Sequence, residues 1–413
     1  MFRRNTILIL FIITAFAIAG CQPTTQSIEA QATAIPTTVA PTNTPKPTNT
    51  PEPTATEIPT DTPTIEPTAT TEPTATPTDT PEPTATATKS PHSFLVEPGP
   101  YEVGYASTKW TDADRGDRVI DLAIYYPAVN ASERQGRDAE VNTGAGPYPL
   151  ILHITGLLQG ASSSKMLHRH LASHGFIIIS VGYQSESLET LYVERPLDAG
   201  FVYENLDENL NPDLLAVIDR EKIGLMGYSN GGYAAFHAAG ASIDPLYWEG
   251  KFSSYQEYDI SGEQGRSLGA NWDGIAAHWS QYGATSDDSL WAPLATIDAD
   301  VLFGIAPSPL FLFGERGLSS LSIPTAIMVG TKDEYVHYKS EIAALFPSIG
   351  TEERYLITLI GRDHFLEQKE PDHVKTFATA FLGYYLQGRT EYEAYLSESF
   401  VNRLDDLHFG IYE

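Results

Sequence analysis

Apolar residues along the chain fall into short continuous runs rather than alternating ones. The runs are 119–126, 150–154, 176–182, 222–227, 301–306, 325–330 and 354–359. Uninterrupted apolar stretches of this length are expected for strands buried on both faces, as in a parallel sheet. Helical signals lie between them. Residues 162–174 read as a helix stopped at Gly175, a plausible left-handed cap. Pro371 opens a second helix, in which Val374, Phe377, Ala378, Phe381, Leu382 and Tyr385 repeat at three-four spacing until Gly388. Strands alternating with helices from about residue 92 to 413 predict one α/β domain. Residues 241–296 break the pattern, with no strong period and many Tyr, Trp, Ser and Gly. They read as an insertion placed to cover a site and set specificity.

The first 91 residues follow different rules. Residues 22–91 hold 15 of the 29 prolines and 24 threonines, and Glu-Pro-Thr-Ala-Thr recurs at 52, 66, 72 and 82. No aromatic lies between Phe16 and Phe94. With so little to bury, 21–91 is expected to be a disordered spacer, extended by up to about 3.1 Å per residue. Ahead of it, Arg3 and Arg4 precede an apolar run from Ile7 to Ala19, too short for the roughly 20 residues of a membrane span. Residues 1–20 read as a signal peptide. Ile18-Ala19-Gly20-Cys21 resembles the lipobox of bacterial lipoproteins, which implies cleavage before Cys21, lipid on that cysteine and a membrane-anchored, extracytoplasmic protein.

Charge and cysteine content narrow the chemistry. Fifty-three acids against 25 bases give −28, most of it beyond residue 90. Such a surface excludes nucleic-acid backbones and anionic headgroups as main partners. Cys21 is the sole cysteine, so neither an intrachain disulfide nor a multi-cysteine metal site is available.

Candidate chemistry begins where the run 222–227 ends. Gly227-Tyr-Ser229-Asn-Gly231 is a G-x-S-x-G sequence between a strand and a helical stretch, the setting that raises a serine hydroxyl above a sheet edge. A serine needs a base to take its proton, and this architecture orders nucleophile, acid and base along the chain. His364 follows the strand 354–359, on the same sheet edge as Ser229. His373 falls inside a predicted helix and His337 in or just before one. Asp333 follows the strand 325–330 and is the expected acid. Its neighbour Glu334 would point elsewhere, and Asp298 and Asp300 precede a strand. Two backbone N–H groups should hold an oxyanion: that of Asn230, after the nucleophile, and that of Leu157, in the loop after 150–154.

Several segments together carry a resemblance. They are Gly99-Pro-Tyr-Glu-Val-Gly104, Leu122–Ala128, Leu150–Val181, Glu194-Arg-Pro-Leu-Asp198, the nucleophile turn and Asp363-His-Phe365. The region resembles the plasma-type platelet-activating-factor acetylhydrolases and the dienelactone hydrolase-like esterases. That implies an α/β-hydrolase fold and a cofactor-free serine esterase acting on a small-molecule or lipid ester. Three differences stand out. Thr155-Gly156 replaces the frequent His-Gly of the oxyanion loop, with His153 just upstream. No carboxylate occurs in 304–308, where the eukaryotic acetylhydrolases carry their acid. The cysteine nucleophile of true dienelactone hydrolases has no counterpart. Arg195-Pro196 is read as a helix start with Asp198 as its cap. Two other readings compete. Gly227–Tyr233 and Gly330–His337 also resemble prolyl-oligopeptidase-type peptidases, which carry a propeller upstream. A non-catalytic binding protein could use the same fold.

Overall fold

A computed structural model describes residues 93–131, 135–184, 187–253, 262–286 and 288–413. The expected signal peptide (1–20), Cys21 and the expected spacer (21–91) lie outside the described residues. The strands are β1 (Glu102–Asp112), β2 (Arg118–Val129), β3 (Glu140–Val141), β4 (Tyr148–Ile154) and β5 (Ile177–Val181). β6 (Ile218–Tyr228), β7 (Val301–Ile305), β8 (Thr325–Gly330), β9 (Arg354–Leu359) and β10 (Leu407–Phe409) follow. They form one sheet in the order β1-β2-β5-β4-β6-β7-β8-β9-β10, with β3 on β2. β5, β4, β6, β7, β8 and β9 run parallel to one another. β1, β2, β3 and β10 add antiparallel edges. Helices cover both faces, and this is an α/β-hydrolase fold.

Every expected strand is present. β4, β5, β7 and β8 are buried along their whole length, which is why they read as unbroken apolar runs. Neighbouring residues of β7 show how the faces are filled. The Phe303 ring lies 5.8 Å from that of Phe381, while the next position, Gly304, faces Phe236. The helix Pro371–Gln387 therefore covers one face and Asn230–Ala238 the other. Lys165–Ser173 packs beside the former and Leu188–Glu204 beside the latter. The expected glycine stops occur: Gly175 has φ +92° and Gly388 φ +66°.

Two expectations need correction. Arg195-Pro196 does not start a helix, and Asp198 is not a cap. Both lie inside the helix Leu188–Glu204, with Pro196 within it. Buried Asp198 receives Arg118 through two bonds of 2.6 and 2.7 Å and Arg115 at 2.9 Å. A buried carboxylate is retained when paired in this way. Residues 241–296, read as lacking a period, contain the helices Pro245–Ser253 and Gly262–Trp279. Aromatic stacking organises this region. Trp291 stacks on Trp272 at 5.2 Å and on Trp279 at 4.6 Å, and Trp248 stacks on Phe311 at 5.4 Å. None of its described hydrogen bonds or ring contacts reaches Ser229, Asp333 or His364. Among the described residues, no helix is long and apolar enough to cross a membrane.

Candidate active site

Ser229 sits between the last residue of β6 and the first of the helix Asn230–Ala238, at φ 53° and ψ −124°. A non-glycine residue there is strained by about 1–3 kcal/mol, so its surroundings must hold it. Its N–H donates to the Ile305 carbonyl at 2.9 Å, and its carbonyl accepts from Gly232 N–H at 2.8 Å and Ser308 N–H at 3.0 Å. Glycines let the turn close. A Cβ on Gly227 would lie 2.3 Å from the Gly231 oxygen, and one on Gly231 2.1 and 2.3 Å from the Ile154 and Thr155 oxygens. The latter contact seats the nucleophile turn against the loop after β4.

Ser229, His364 and Asp333 come together at the C-terminal edge of the sheet. His364 Nε2 is 2.9 Å from Ser229 Oγ, and His364 Nδ1 is 2.7 Å from an Asp333 oxygen. The other Asp333 oxygen accepts the N–H groups of Tyr335 at 2.9 Å and Val336 at 2.8 Å. An ionised carboxylate has no proton to give, so its free oxygen accepts from the ring. That selects the tautomer with the proton on Nδ1 and leaves Nε2 free to accept from Ser229. The loops after β8 and β9 are pressed together, because a Cβ on Gly330 would stand 2.2 Å from the Arg362 oxygen. Lys332 N–H also donates to that oxygen at 2.9 Å. From below, Tyr228 donates its hydroxyl to the His364 carbonyl at 3.1 Å. Burial, with lesser contributions from nearby Glu367 and Asp333, holds that phenol far above the ordinary tyrosine range, so it stays a donor.

The two expected oxyanion donors flank this turn. Asn230 opens its helix, so its N–H has no intrahelical acceptor. The Leu157 N–H has no acceptor among the described residues. Its peptide is held from the other side, since the Gly156 carbonyl accepts Gln159 N–H at 3.1 Å. Gly156 N–H in turn donates to Gln159 Oε1 at 2.9 Å. Thr155 Oγ1 donates to the Gln159 and Val181 carbonyls at 2.9 and 3.1 Å. A threonine thus ties the loop to the ends of the neighbouring segments. Its neighbour His153 is fully buried against His168, with Nδ1 to Nε2 of 2.6 Å. Burial, and secondarily the charge of Arg195, push His153 down to about 3, which keeps it neutral.

The other candidates lie elsewhere. Asp300 accepts Ile223 N–H at 2.7 Å, before β7 begins and so at the opposite sheet edge. His337 Nδ1 pairs with Ser340 Oγ at 2.7 Å. His373 lies 3.2 Å from Glu370 and 3.6 Å from Asp406. Arg362 already sits on both carboxylates, at 2.8 and 3.0 Å, so a resident cation fills this one possible metal cluster among the described residues. Sequence reasoning missed the role of two buried ionisable side chains beside the site. Arg195 is 0% exposed, and Glu341 2%. Glu341 accepts Leu310 N–H at 2.6 Å and the Ser308 hydroxyl at 3.3 Å. Burial raises its carboxyl to about 8, leaving it largely protonated at neutral pH. Arg195 carried a faint signal, as the helix's one basic residue, beside a proline. Glu341 carried none.

With this geometry in hand, comparison with known families adds one finding. Residues 140–253 match the sequence profile of a family described as Chlorophyllase. The matched stretch runs from β3 to the end of the helix Pro245–Ser253 and includes Leu157, Ser229 and Asn230. It stops before Asp333 and His364. No curated protein matches the chain. The match supports an ester-cleaving hydrolase on the α/β-hydrolase fold.

Proposed function

We propose that the protein is a serine carboxylester hydrolase working through an acyl-enzyme. The observation that carries the reading is the continuous relay from Ser229 Oγ through His364 to Asp333, at 2.9 and 2.7 Å. Ser229 Oγ attacks the ester carbonyl carbon while His364 Nε2 takes its proton. Asp333 stabilises the imidazolium that forms. The carbonyl oxygen becomes an oxyanion received by the N–H groups of Leu157 and Asn230. The tetrahedral intermediate collapses, the C–O bond breaks, and His364 returns the proton to the leaving alcohol. Water, deprotonated by His364, then attacks the acyl-Ser229 carbonyl; the acyl C–Oγ bond breaks, His364 returns the proton to Ser229 Oγ, and the acid leaves.

Within ester hydrolases, the motifs at 99–104, 122–128 and 363–365 favour the acetylhydrolase and dienelactone hydrolase-like esterase branch. The lipobox-like Ile18–Cys21 and the Thr/Pro-rich residues after it support a lipidated, extracytoplasmic protein whose catalytic domain is carried on a spacer. The test is a panel of aryl esters from acetate to palmitate beside a panel of peptide amides, with a fluorophosphonate probe to label the nucleophile. Ester turnover with the label on Ser229 is expected. Preference for amides would replace the esterase by a peptidase, and absence of both turnover and label would refute the enzyme reading.

A further inference from the structure

Arg195 is the most deeply buried cation beside the site, and it reaches the loop that carries Leu157. Its Nη2 donates to the Thr155 carbonyl at 2.5 Å and its Nη1 to the Gly182 carbonyl at 2.7 Å. The two carbonyls follow the neighbouring parallel strands β4 and β5, so one planar guanidinium spans both strand ends. Arginine is suited to this because its donors form a rigid fork and it keeps its charge when buried. The Thr155 oxygen is confined from the other side, since the space where a Gly231 Cβ would lie is 2.3 Å from it.

This oxygen belongs to the Thr155–Gly156 peptide, whose N–H is fixed on Gln159 Oε1 at 2.9 Å. The next peptide has its carbonyl fixed on Gln159 N–H at 3.1 Å, so its own N–H, that of Leu157, points the opposite way. The turn closes through Leu158 at φ +61°. We propose that Arg195 is the positioning residue of the oxyanion site, its guanidinium setting the first peptide of the loop and, through it, the direction of the Leu157 N–H. The inference rests on Ser229 acting as the nucleophile. It adds a residue that touches neither substrate nor relay, on a helix whose role would otherwise be packing.

The test compares wild type, Arg195→Lys and Arg195→Met in the full chain, with Ser229→Ala alongside. Three quantities are read: kcat and KM on an aryl acetate, inhibition by phenylboronic acid, which forms a tetrahedral adduct on a serine, and inhibition by an uncharged product alcohol. Removing one oxyanion donor typically lowers kcat by about 10²–10³-fold. A displaced donor should act similarly, so Arg195→Met should lose about 10²-fold in kcat with KM within about threefold. Boronate affinity should fall with kcat, and alcohol affinity should not. Lysine supplies a point charge but cannot bridge both carbonyls, so Arg195→Lys should keep the fold, lose part of kcat, and serve if Arg195→Met fails to fold. Millimolar methylguanidinium should restore part of the Arg195→Met activity. Unchanged kcat in both variants, with Ser229→Ala dead, overturns the positioning role alone. So does an equal fall in boronate and alcohol affinity, which is the mark of a general structural defect. Turnover retained by Ser229→Ala overturns the esterase reading and this inference with it.

Discussion

Gly231→Ala puts one methyl group between the nucleophile turn and the oxyanion loop. By local propensity the change should help, because alanine in a helix is favoured over glycine by about 1 kcal/mol. Packing decides the other way. The new Cβ would stand 2.1 Å from the Ile154 oxygen, 2.3 Å from the Thr155 oxygen and 2.6 Å from the Ile154 carbonyl carbon. Ordinary carbon–oxygen contacts begin at about 3.3 Å, so the two backbones must part by about 1 Å. Neither side yields easily. Ile154 pairs with Val181 on one side and Gly227 on the other, in the middle of the sheet. The helix beyond Gly231 is buried throughout, and its Tyr233 hydroxyl is fixed on the Tyr192 carbonyl at 2.9 Å.

Overpacking of this kind costs about 1–3 kcal/mol, so after the helix gain a net loss of up to about 2 kcal/mol remains. For a domain of this size that lowers Tm by only a few degrees. Activity should suffer more, because a misplacement of about 1 Å between nucleophile and oxyanion donors can cost about 10²-fold. The assay is kcat and KM on an aryl acetate, with scanning calorimetry on the same samples. Gly388→Ala is the control: Gly388 has φ +66° and nothing within 4 Å of its Cβ site. It should lose about 1 kcal/mol of stability through backbone strain and keep full activity. If Gly231→Ala keeps kcat/KM within threefold and its Tm, the close seating of turn on loop is wrong.

Ser229→Ala and His364→Ala should each remove several orders of magnitude of kcat and the double variant little more; Asp333→Asn should cost less than Ser229→Ala but still heavily, and Asp298→Asn and Glu334→Gln should stay near wild type in the same kinetics. Glu341 is raised to about 8, with burial the main cause, so the folded protein holds this proton above the ordinary carboxyl range. Its contribution to stability is full below the ordinary carboxyl pKa and is lost as pH rises towards 8. Tm measured from pH 5 to 9 should therefore fall more steeply in wild type than in Glu341→Gln, and parallel curves would count against a buried neutral acid. Cys21→Ala should abolish lipid-dependent membrane partitioning without altering turnover of a soluble ester, as fractionation and mass spectrometry of the N-terminus would report.

The parallel core was legible in the sequence because it is buried on both faces, so β4 through β9 read as apolar runs and their C-terminal ends could be assigned to one edge. Ser229, Asp333 and His364 each follow such a run, which is why the positions the structure brings together could be named from strand ends. β1 was not legible. Its exposed Glu102, Thr111 and other polar positions interrupt the apolar ones, as befits an edge ribbon with one wet side. The helix Leu188–Glu204 was misread because three of its charged residues face inward. Glu194, Arg195 and Asp198 are all less than 9% exposed, against the ordinary rule that charges stay in water. The helices inside the insertion were not legible, because stacked tryptophans rather than an apolar stripe organise the region.

The acid's place follows from strand neighbours. β8 pairs directly with β9, and the loops after them share the close approach of Gly330 to the Arg362 oxygen. Asp333 thus lies one strand from His364, whereas a residue after β7 lies two strands away. With the acid supplied from β8, the segment after β7 is free to do something else. Ser308 N–H holds the carbonyl of strained Ser229 at 3.0 Å, and Glu341 holds Ser308 and Leu310 from behind. A second ionised carboxyl beside Asp333 would add negative charge around the imidazole and, in the proposed mechanism, raise its affinity for the proton it returns to the leaving alcohol. Burial instead keeps Glu341 neutral, with Asp333 itself a lesser cause of the same shift. The protein thereby keeps a carboxyl close to the site as a hydrogen-bonding brace while His364 hydrogen-bonds one carboxylate, that of Asp333. The segment after β7 thus supports the nucleophile turn through Ser308 although 304–308 holds no carboxylate of its own.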